Sequence, residues 1–211
     1  MDHMGKSIMT EPPGSKDFLT RHIPARAVDG TRELLEGKDV QVRITRARFS
    51  KAGDYSRPLR SAHHRISVNG DLNPYAFLIT LVHEIAHMQV WNAHGTRARA
   101  HGREWKREFE SLLAPFLRID VFPGDVAVEL QRHLMKPRAS TLSDVRLQAV
   151  LNRYDPLPRT RLTDLESGAR FRLKNKKDYV KLGAAGKFCL CRQLSPRRMV
   201  KIHPLAEVEV L

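Results

Sequence analysis

The chain has 211 residues, 41% of them hydrophobic, and a formal charge of +14 at pH 7. That is enough for one moderate domain and a small appendage, and it argues against a membrane span, because the longest apolar run, residues 77–82, stops at His83. No apolar leader opens the sequence, and two cysteines, Cys189 and Cys191, are too few for a secreted disulfide framework, so a cytoplasmic protein with reduced thiols is expected.

Residues 1–15, with Pro12, Pro13, Gly14 and Ser15, read as a flexible lead-in. A helix is expected from Lys16 to about Leu35, interrupted or restarted at Pro24 and ended by Gly37. Val40, Val42 and Ile44 alternate with Gln41, Arg43 and Thr45, the two-residue period of a half-buried strand. Residues 51–54 supply a turn towards Tyr55, and residues 65–68 continue a small sheet, expected to be antiparallel. Asn69-Gly70 makes a turn, and Asn73-Pro74 offers a cap with proline at the first helical position, which predicts a helix over 74–93.

Inside that helix lies His83-Glu84-Ile85-Ala86-His87, an H-E-x-x-H pattern. Residues four apart share a helix face, so both imidazoles can reach one metal ion while Glu84, about 100° further round, faces a water beside it. Zn²⁺ suits neutral imidazole, and it lowers the pKa of bound water from about 15.7 to roughly 7, within reach of a glutamate base. The third ligand must come from downstream, where His94, His101, Glu104 and Glu108 are the candidates.

His94, seven residues past His87, would sit roughly 10 Å further along a continuing helix and could not share the ion. His94-Gly95 instead has the character of a helix end. A metzincin pattern would need Gly and His where this chain has Val90 and Ala93. His101-Gly102 fits better, after the turn-like basic stretch 95–100 and before a second helix over about 102–116, whose buried stripe is Trp105, Phe109, Leu112, Leu113 and Phe116. Glu104 or Glu108 as a gluzincin-like ligand stays open, although both also suit solvated pairs with Arg103, Lys106 or Arg107.

The segment from His83 to Trp91, followed by His101-Gly102-Arg103-Glu104-Trp105-Lys106, resembles the SprT-like (Spartan-type) metalloprotease family, whose motif is H-E-x-x-H and then H-G-x-x-[WF]-K. Thirteen residues separate His87 from His101, and the resemblance covers about residues 16–135, with the part beyond 160 matched only loosely. It implies His83, His87 and His101 as ligands of one catalytic Zn²⁺ and Glu84 as general acid/base. It also implies a protein substrate on, or crosslinked to, DNA, and hence a role in DNA repair.

Further on, Pro123-Gly124 closes a segment, residues 126–135 suggest a helix, and 136–163 read as a connector with a short helical piece near 144–152. Short strands are expected at 170–173, 178–182, 187–192, 199–203 and 207–210, with turns at Gly168, 183–186 and Ser195-Pro196, over a core of Phe171, Tyr179, Phe188 and Val200. SprT-like proteins often carry a C-terminal zinc ribbon, which needs four ligands. This chain departs from that pattern: Cys189 and Cys191 are expected to point to opposite faces of a strand, His203 is the only other soft ligand nearby, and a second zinc is not expected.

Charge is uneven. Residues 1–135 hold 20 Lys+Arg against 16 Asp+Glu, whereas residues 136–211 hold 17 against 7. A basic tail favours a polyanion through phosphate contacts, with Arg170, Arg172, Lys174, Lys176, Lys177, Lys187, Arg192, Arg197 and Arg198 as candidates, although basic runs also occur as merely solvated surface. No helix-turn-helix or finger pattern supports sequence-specific readout.

The expectation is therefore an α+β chain. A zincin-like SprT domain over 16–135, a small antiparallel sheet plus the H-E-x-x-H helix, is followed by a connector and a basic antiparallel β module over 164–211 resembling a degenerate zinc ribbon. The expected activity is zinc-dependent endopeptidase, with a protein substrate, DNA bound without sequence specificity and no membrane partner. The alternative is a nucleic-acid-binding or scaffold protein with a non-catalytic zinc site.

Overall fold

The computed structural model describes residues 17–48, 51–58, 63–135, 144–156 and 160–211, so the lead-in expected over 1–15 lies outside the described residues. The chain is mixed α+β and divides into two compact units, Met1–Tyr154 and Asp155–Leu211. Among the described residues, no helix is long and apolar enough to cross a membrane.

In the first unit the expected N-terminal helix is split. Helix α1 (Asp17–His22) and helix α2 (Val28–Leu35) are separated by a 3-10 turn at Ala25–Ala27, entered through Pro24. Proline has no N–H to give to the preceding turn, so one continuous helix is not available there.

Strands β1 (Val40–Thr45), β2 (Gly53–Ser56) and β3 (His64–Asn69) form a sheet in the order β1-β3-β2. The pair β2-β3 is antiparallel, but β1-β3 is parallel, so the sheet is mixed rather than antiparallel as expected. Strand β3 doubles back from β2 and inserts between its two predecessors, which makes it run in the same direction as β1. Side-chain alternation specifies which face is buried and is silent on which strand is the neighbour. The central strand is the apolar one, with Ile66 and Val68 fully buried.

Asn69, expected in a turn, is instead the last residue of β3, and its buried amide organises the approach to β2. Its Nδ2 donates to the carbonyls of Arg48 and Lys51, at 3.1 and 3.0 Å, while its Oδ1 accepts from Arg48 Nε at 2.8 Å. Three hydrogen bonds from one side chain thereby fix where β2 begins, and Gly53, expected in a turn, is the first residue of that strand.

Helix α3 (Pro74–His94) is the centre of the unit. Asn73 caps it, accepting from the Ala76 N–H at 2.9 Å, with proline in the first turn where no hydrogen bond is lost. Residues Phe77, Leu78, Ile79, Leu81, Val82 and Ile85 are all fully buried, so α3 is enclosed on every side rather than amphipathic. It ends at Gly95, whose φ of 57° favours glycine.

Helix α4 (Arg103–Arg118) buries Trp105, Phe109, Leu112, Leu113 and Phe116, the stripe expected from the sequence. Helices α5 (Gly124–Met135) and α6 (Val145–Leu151) complete the unit. The stretch expected as a connector is thus divided: Leu147, Val150 and Leu151 belong to the first core, and Asn73 Nδ2 donates to the Leu151 carbonyl at 2.8 Å. Apolar residues at i, i+3 and i+4 give even a two-turn helix a buried face.

The second unit carries strands β4 (Arg170–Leu173), β5 (Asp178–Ala185), β6 (Phe188–Gln193), β7 (Arg198–Ile202) and β8 (Val208–Val210), in the order β7-β6-β5-β4-β8, all antiparallel. Four strands meander, and the fifth returns to pair with the first. A bulge between Lys181 and Gly183 lets β5 run on to Ala185, through residues expected to be a turn.

The core of this unit is Leu162, Phe171, Tyr179, Cys189, Cys191 and Val208, with Val200 packed against it. Cys189 and Cys191 therefore lie on one face, against the expectation of opposite faces. Strand side chains alternate with a period of two, so residues i and i+2 point the same way. Phe188, expected in the core, is only half-buried for the same reason, since it takes the other face of β6.

Candidate metal centre

Helix α3 delivers His83 and His87 one turn apart, and the chain then leaves the helix at Gly95, makes a 3-10 turn at Gly95–Arg97 and brings His101 back over them. The Nε2 atoms of His83 and His101 are 3.1 Å apart, and those of His87 and His101 are 2.9 Å apart. Among the described residues, only these three form a cluster able to hold a metal ion, with ligand atoms within 4.8 Å of one another. A tetrahedral zinc ion with bonds of about 2.0–2.1 Å would hold its ligand nitrogens roughly 3.3–3.4 Å apart, a few tenths of an ångström from the two separations that His101 makes.

The return of His101 has a backbone cost. Its φ of 58° lies in the left-handed region, which disfavours a residue with a Cβ by about 1–2 kcal/mol. Gly102 follows under a different constraint: a Cβ there would meet the Arg99 carbonyl at 2.9 Å, and its own N–H already donates to that oxygen. The His-Gly pair is thus the hinge that aims an imidazole at α3 and restarts the chain as α4.

Trp105, in the first turn of α4, is fully buried and packs against all three histidines, with ring centroids 4.5 Å from His83, 5.3 Å from His87 and 4.7 Å from His101. The sequence placed it in the core, where it is, and did not foresee that it is also the floor of the site. Tyr55 stands on the other side, its ring parallel to that of His87 at 6.4 Å and its hydroxyl 2.9 Å from His64 Nδ1.

Burial governs the protonation of the cluster. It holds His83 down at about 2 and His87 at about 4, each lowered further by its neighbouring histidines, and it lowers His101 as well. All three are then neutral at physiological pH, the state in which imidazole is a ligand. Glu84, 7% exposed, is pushed the other way, up to about 8, chiefly by burial and then by Asp54. Arg48, Lys51 and a hydrogen bond from the Tyr55 backbone oppose that rise, and a cation held by the histidines would further favour the carboxylate.

Gly53 is the residue the sequence reading missed. A Cβ at that position would lie 2.6 Å from Glu84 Oε1 and 2.6 Å from Thr80 Cγ2, so only glycine lets β2 pass this close to the carboxylate. The available signal was a glycine opening a strand, which marks a close approach as readily as a turn. The cleft above the histidines, about 630 Å³, is lined by residues of β2, α3 and the segment leading to His101. Arg57 closes part of its wall by stacking on Trp91, 4.5 Å from the ring centroid.

The other ligand candidates lie elsewhere. His94 is exposed at the end of α3, Glu104 lies 3.6 Å from Arg103, and neither it nor Glu108 joins the cluster. In the second unit the buried Cys191 thiol is pushed up to about 11 by burial and then by Cys189, and Cys189, Cys191 and His203 do not assemble a metal set.

The basic candidates of the second unit differ in where they lie and in what already holds them. Arg170, Val180, Arg192 and Met199 are register partners across four strands, with Val180 buried and the other three exposed, and the exposed Lys201, which the sequence reading omitted, is on the same face of β7 as Met199. Lys176 and Lys177 lie in the β4-β5 turn, at the same end of the sheet as Arg197 and Arg198, as the hydrogen bond from Leu194 N to Asp178 O shows. Lys187 is at the opposite end, beside the Phe188 ring. Three candidates are already engaged: Arg172 grips both oxygens of Asp178, at 2.6 and 3.0 Å, Lys174 Nζ lies 2.6 Å from Glu207, and Arg198 Nε donates to Gln193 Oε1 at 3.0 Å.

Comparison with known protein families and with curated proteins finds no match to the chain, so the geometry carries the functional argument.

Proposed function

We propose that the chain is a zinc-dependent endopeptidase of the SprT-like type, acting on proteins bound or crosslinked to DNA. The observation that carries this reading is the convergence of three neutral histidine nitrogens beside a buried glutamate at the base of an open cleft. A purely structural zinc site usually takes four protein ligands, whereas three histidines leave a position facing the cleft.

Zn²⁺ held by His83, His87 and His101 would supply Lewis-acid polarisation of a peptide carbonyl and acidify a water. The remaining steps fall to side chains. Glu84 takes a proton from the attacking water and passes it to the nitrogen of the departing amine. Its burial and the Tyr55 backbone N–H keep the carboxylate in one orientation, and Gly53 leaves it the space. Trp105, fully buried, forms the floor on which the three imidazoles pack.

The basic second unit supports the DNA part of the reading, because its exposed Arg170 and Arg192 and its Lys176, Lys177 and Arg197 end offer phosphate contacts without any device for reading bases. The deciding experiment is metal analysis of the full chain combined with cleavage of a DNA-binding protein, with and without single-stranded and double-stranded DNA. One zinc per chain and DNA-stimulated cleavage are expected. A chain that binds zinc and DNA but cleaves nothing would leave a non-catalytic zinc protein in its place.

A further inference from the structure

His83 directs Nε2 at the cluster, so its Nδ1 must carry the proton when Nε2 is a ligand. That Nδ1 is buried with no hydrogen-bond partner among the described residues, and the same holds for Trp105 Nε1 and for His133 Nε2. Buried polar groups in a folded interior are almost always paired, so each of these three atoms calls for a partner. They are also neighbours through rings: the His83 ring lies 4.5 Å from that of Trp105 and 5.4 Å from that of Phe109, and Phe109 lies 6.5 Å from His133.

His133 sits on α5 and is 1% exposed, with its Nδ1 2.9 Å from Asp144 Oδ2. Asp144 is held down at about 2: burial would raise it, but hydrogen bonds from His133, Arg132 and the Leu147 N–H together outweigh that effect. An ionised carboxylate can only accept, so His133 Nδ1 is the donor, and in the Nδ1–H tautomer Nε2 is an acceptor. The orphans then form a complementary set of two donors, His83 Nδ1–H and Trp105 Nε1–H, and one acceptor, His133 Nε2. One buried water, which takes two to four polar partners, has the matching capacity: it can accept from both donors and donate to the acceptor.

We propose that His133, oriented by Asp144, is a positioning residue for the metal ligand His83, joined to it by one buried water that also accepts from Trp105 Nε1–H. The chain Asp144, His133, water, His83 fixes the tautomer and ring angle of the ligand from outside the cleft, as partners of metal-bound histidines do elsewhere. It follows that α6, whose first turn Asp144 caps, is tied to the metal centre. The inference rests on the reading of the three histidines as a zinc site.

The test is zinc affinity by chelator competition and histidine tautomers by ¹⁵N NMR, on the full chain with and without zinc. We expect His133 to be neutral with the proton on Nδ1, and the His83 Nδ1 proton to exchange slowly once zinc is bound. H133F, which removes both nitrogens, should weaken zinc binding by tenfold to a hundredfold, whereas H133Q, whose amide oxygen can accept where Nε2 did, should recover most of that loss. D144N should weaken zinc binding and disturb the His133 tautomer together. An imidazolium or Nε2-protonated His133, or unchanged affinity in a folded H133F, overturns the proposal alone. Failure of the unaltered chain to take up one zinc overturns the zinc reading itself, and the proposal with it.

Discussion

The two units place their chemistry in opposite ways. The first buries it: His83 and Glu84 are 6% and 7% exposed, enclosed by an apolar helix, and their proton affinities are set by that enclosure. The second keeps a small apolar core and puts its cations on turns and at exposed strand positions of a sheet. Burial makes a site specific and intolerant of change, because each displaced atom meets packed neighbours, whereas a surface field sums over many weak, interchangeable contacts. Substitutions in the first unit should therefore act singly and steeply, and those in the second additively and gently.

The steepest effect is expected at Glu84. E84Q keeps the shape and removes the proton acceptor, so cleavage should fall by roughly 10²- to 10⁴-fold with zinc content unchanged. Normal turnover by E84Q would remove Glu84 from the mechanism. Next come the histidines: H101A should lose stoichiometric zinc while H94A retains it, because only His101 lies within the cluster. Equal metal loss in both would mean that His101 is not the third ligand.

Gly53 gives a finer test of how tightly the buried unit is packed. The added methyl of G53A meets Glu84 Oε1 and Thr80 Cγ2, both at 2.6 Å, so β2 or the carboxylate must shift. Overpacking of this kind costs about 1–3 kcal/mol of stability, and the displaced carboxylate should lower cleavage without releasing zinc. Unaltered kinetics would show that β2 has slack at this point.

What was legible in the sequence follows the same division. The metal helix, its cap and the stripe of α4 could be read because periodicity and capping are local. The pairing of β1 beside β3, the closeness of Gly53 to Glu84 and the inclusion of α6 in the first core are long-range, and no nearby residue announces them. The placement of the two cysteines was a different matter, because the two-residue period of a strand already puts Cys189 and Cys191 on one face. For the second unit the sequence supplies the sum of charges but not their pairing, so Arg172 and Lys174 looked as available as Arg170.

Acid should act on the first unit through Asp144. Its ordinary value of 3.8 is depressed to about 2 in the folded chain, so its contribution is complete above the unfolded value and lost as pH falls through the folded one. The window lies between about pH 4 and pH 2, and the contribution is on the order of 2 kcal/mol. Urea melts should show D144N less stable than the unaltered chain near pH 6, with the gap closing towards pH 2. A gap that stays constant across that range would place the stabilising partner of Asp144 outside its ionised state.

The smallest effects belong to the second unit, and they test whether its surface is additive. Each phosphate contact made should contribute roughly −0.9 to the slope of log affinity against log salt on duplex DNA. Arg170 and Arg192 are both exposed, with no carboxylate partner among the described residues, so replacing both with Gln should flatten the slope by about 1.8. Replacing Arg172 should change it far less, because its guanidinium already spans both oxygens of Asp178 and must surrender that pair before it can serve a phosphate. A chain ended at Tyr154 keeps α6 and the Asp144 contacts, and so should keep zinc while losing most DNA affinity. Binding by that shortened chain equal to that of the full one would move the DNA contact to the cleft side of the first unit, with Arg97, Arg99 and Arg103 the next residues to replace.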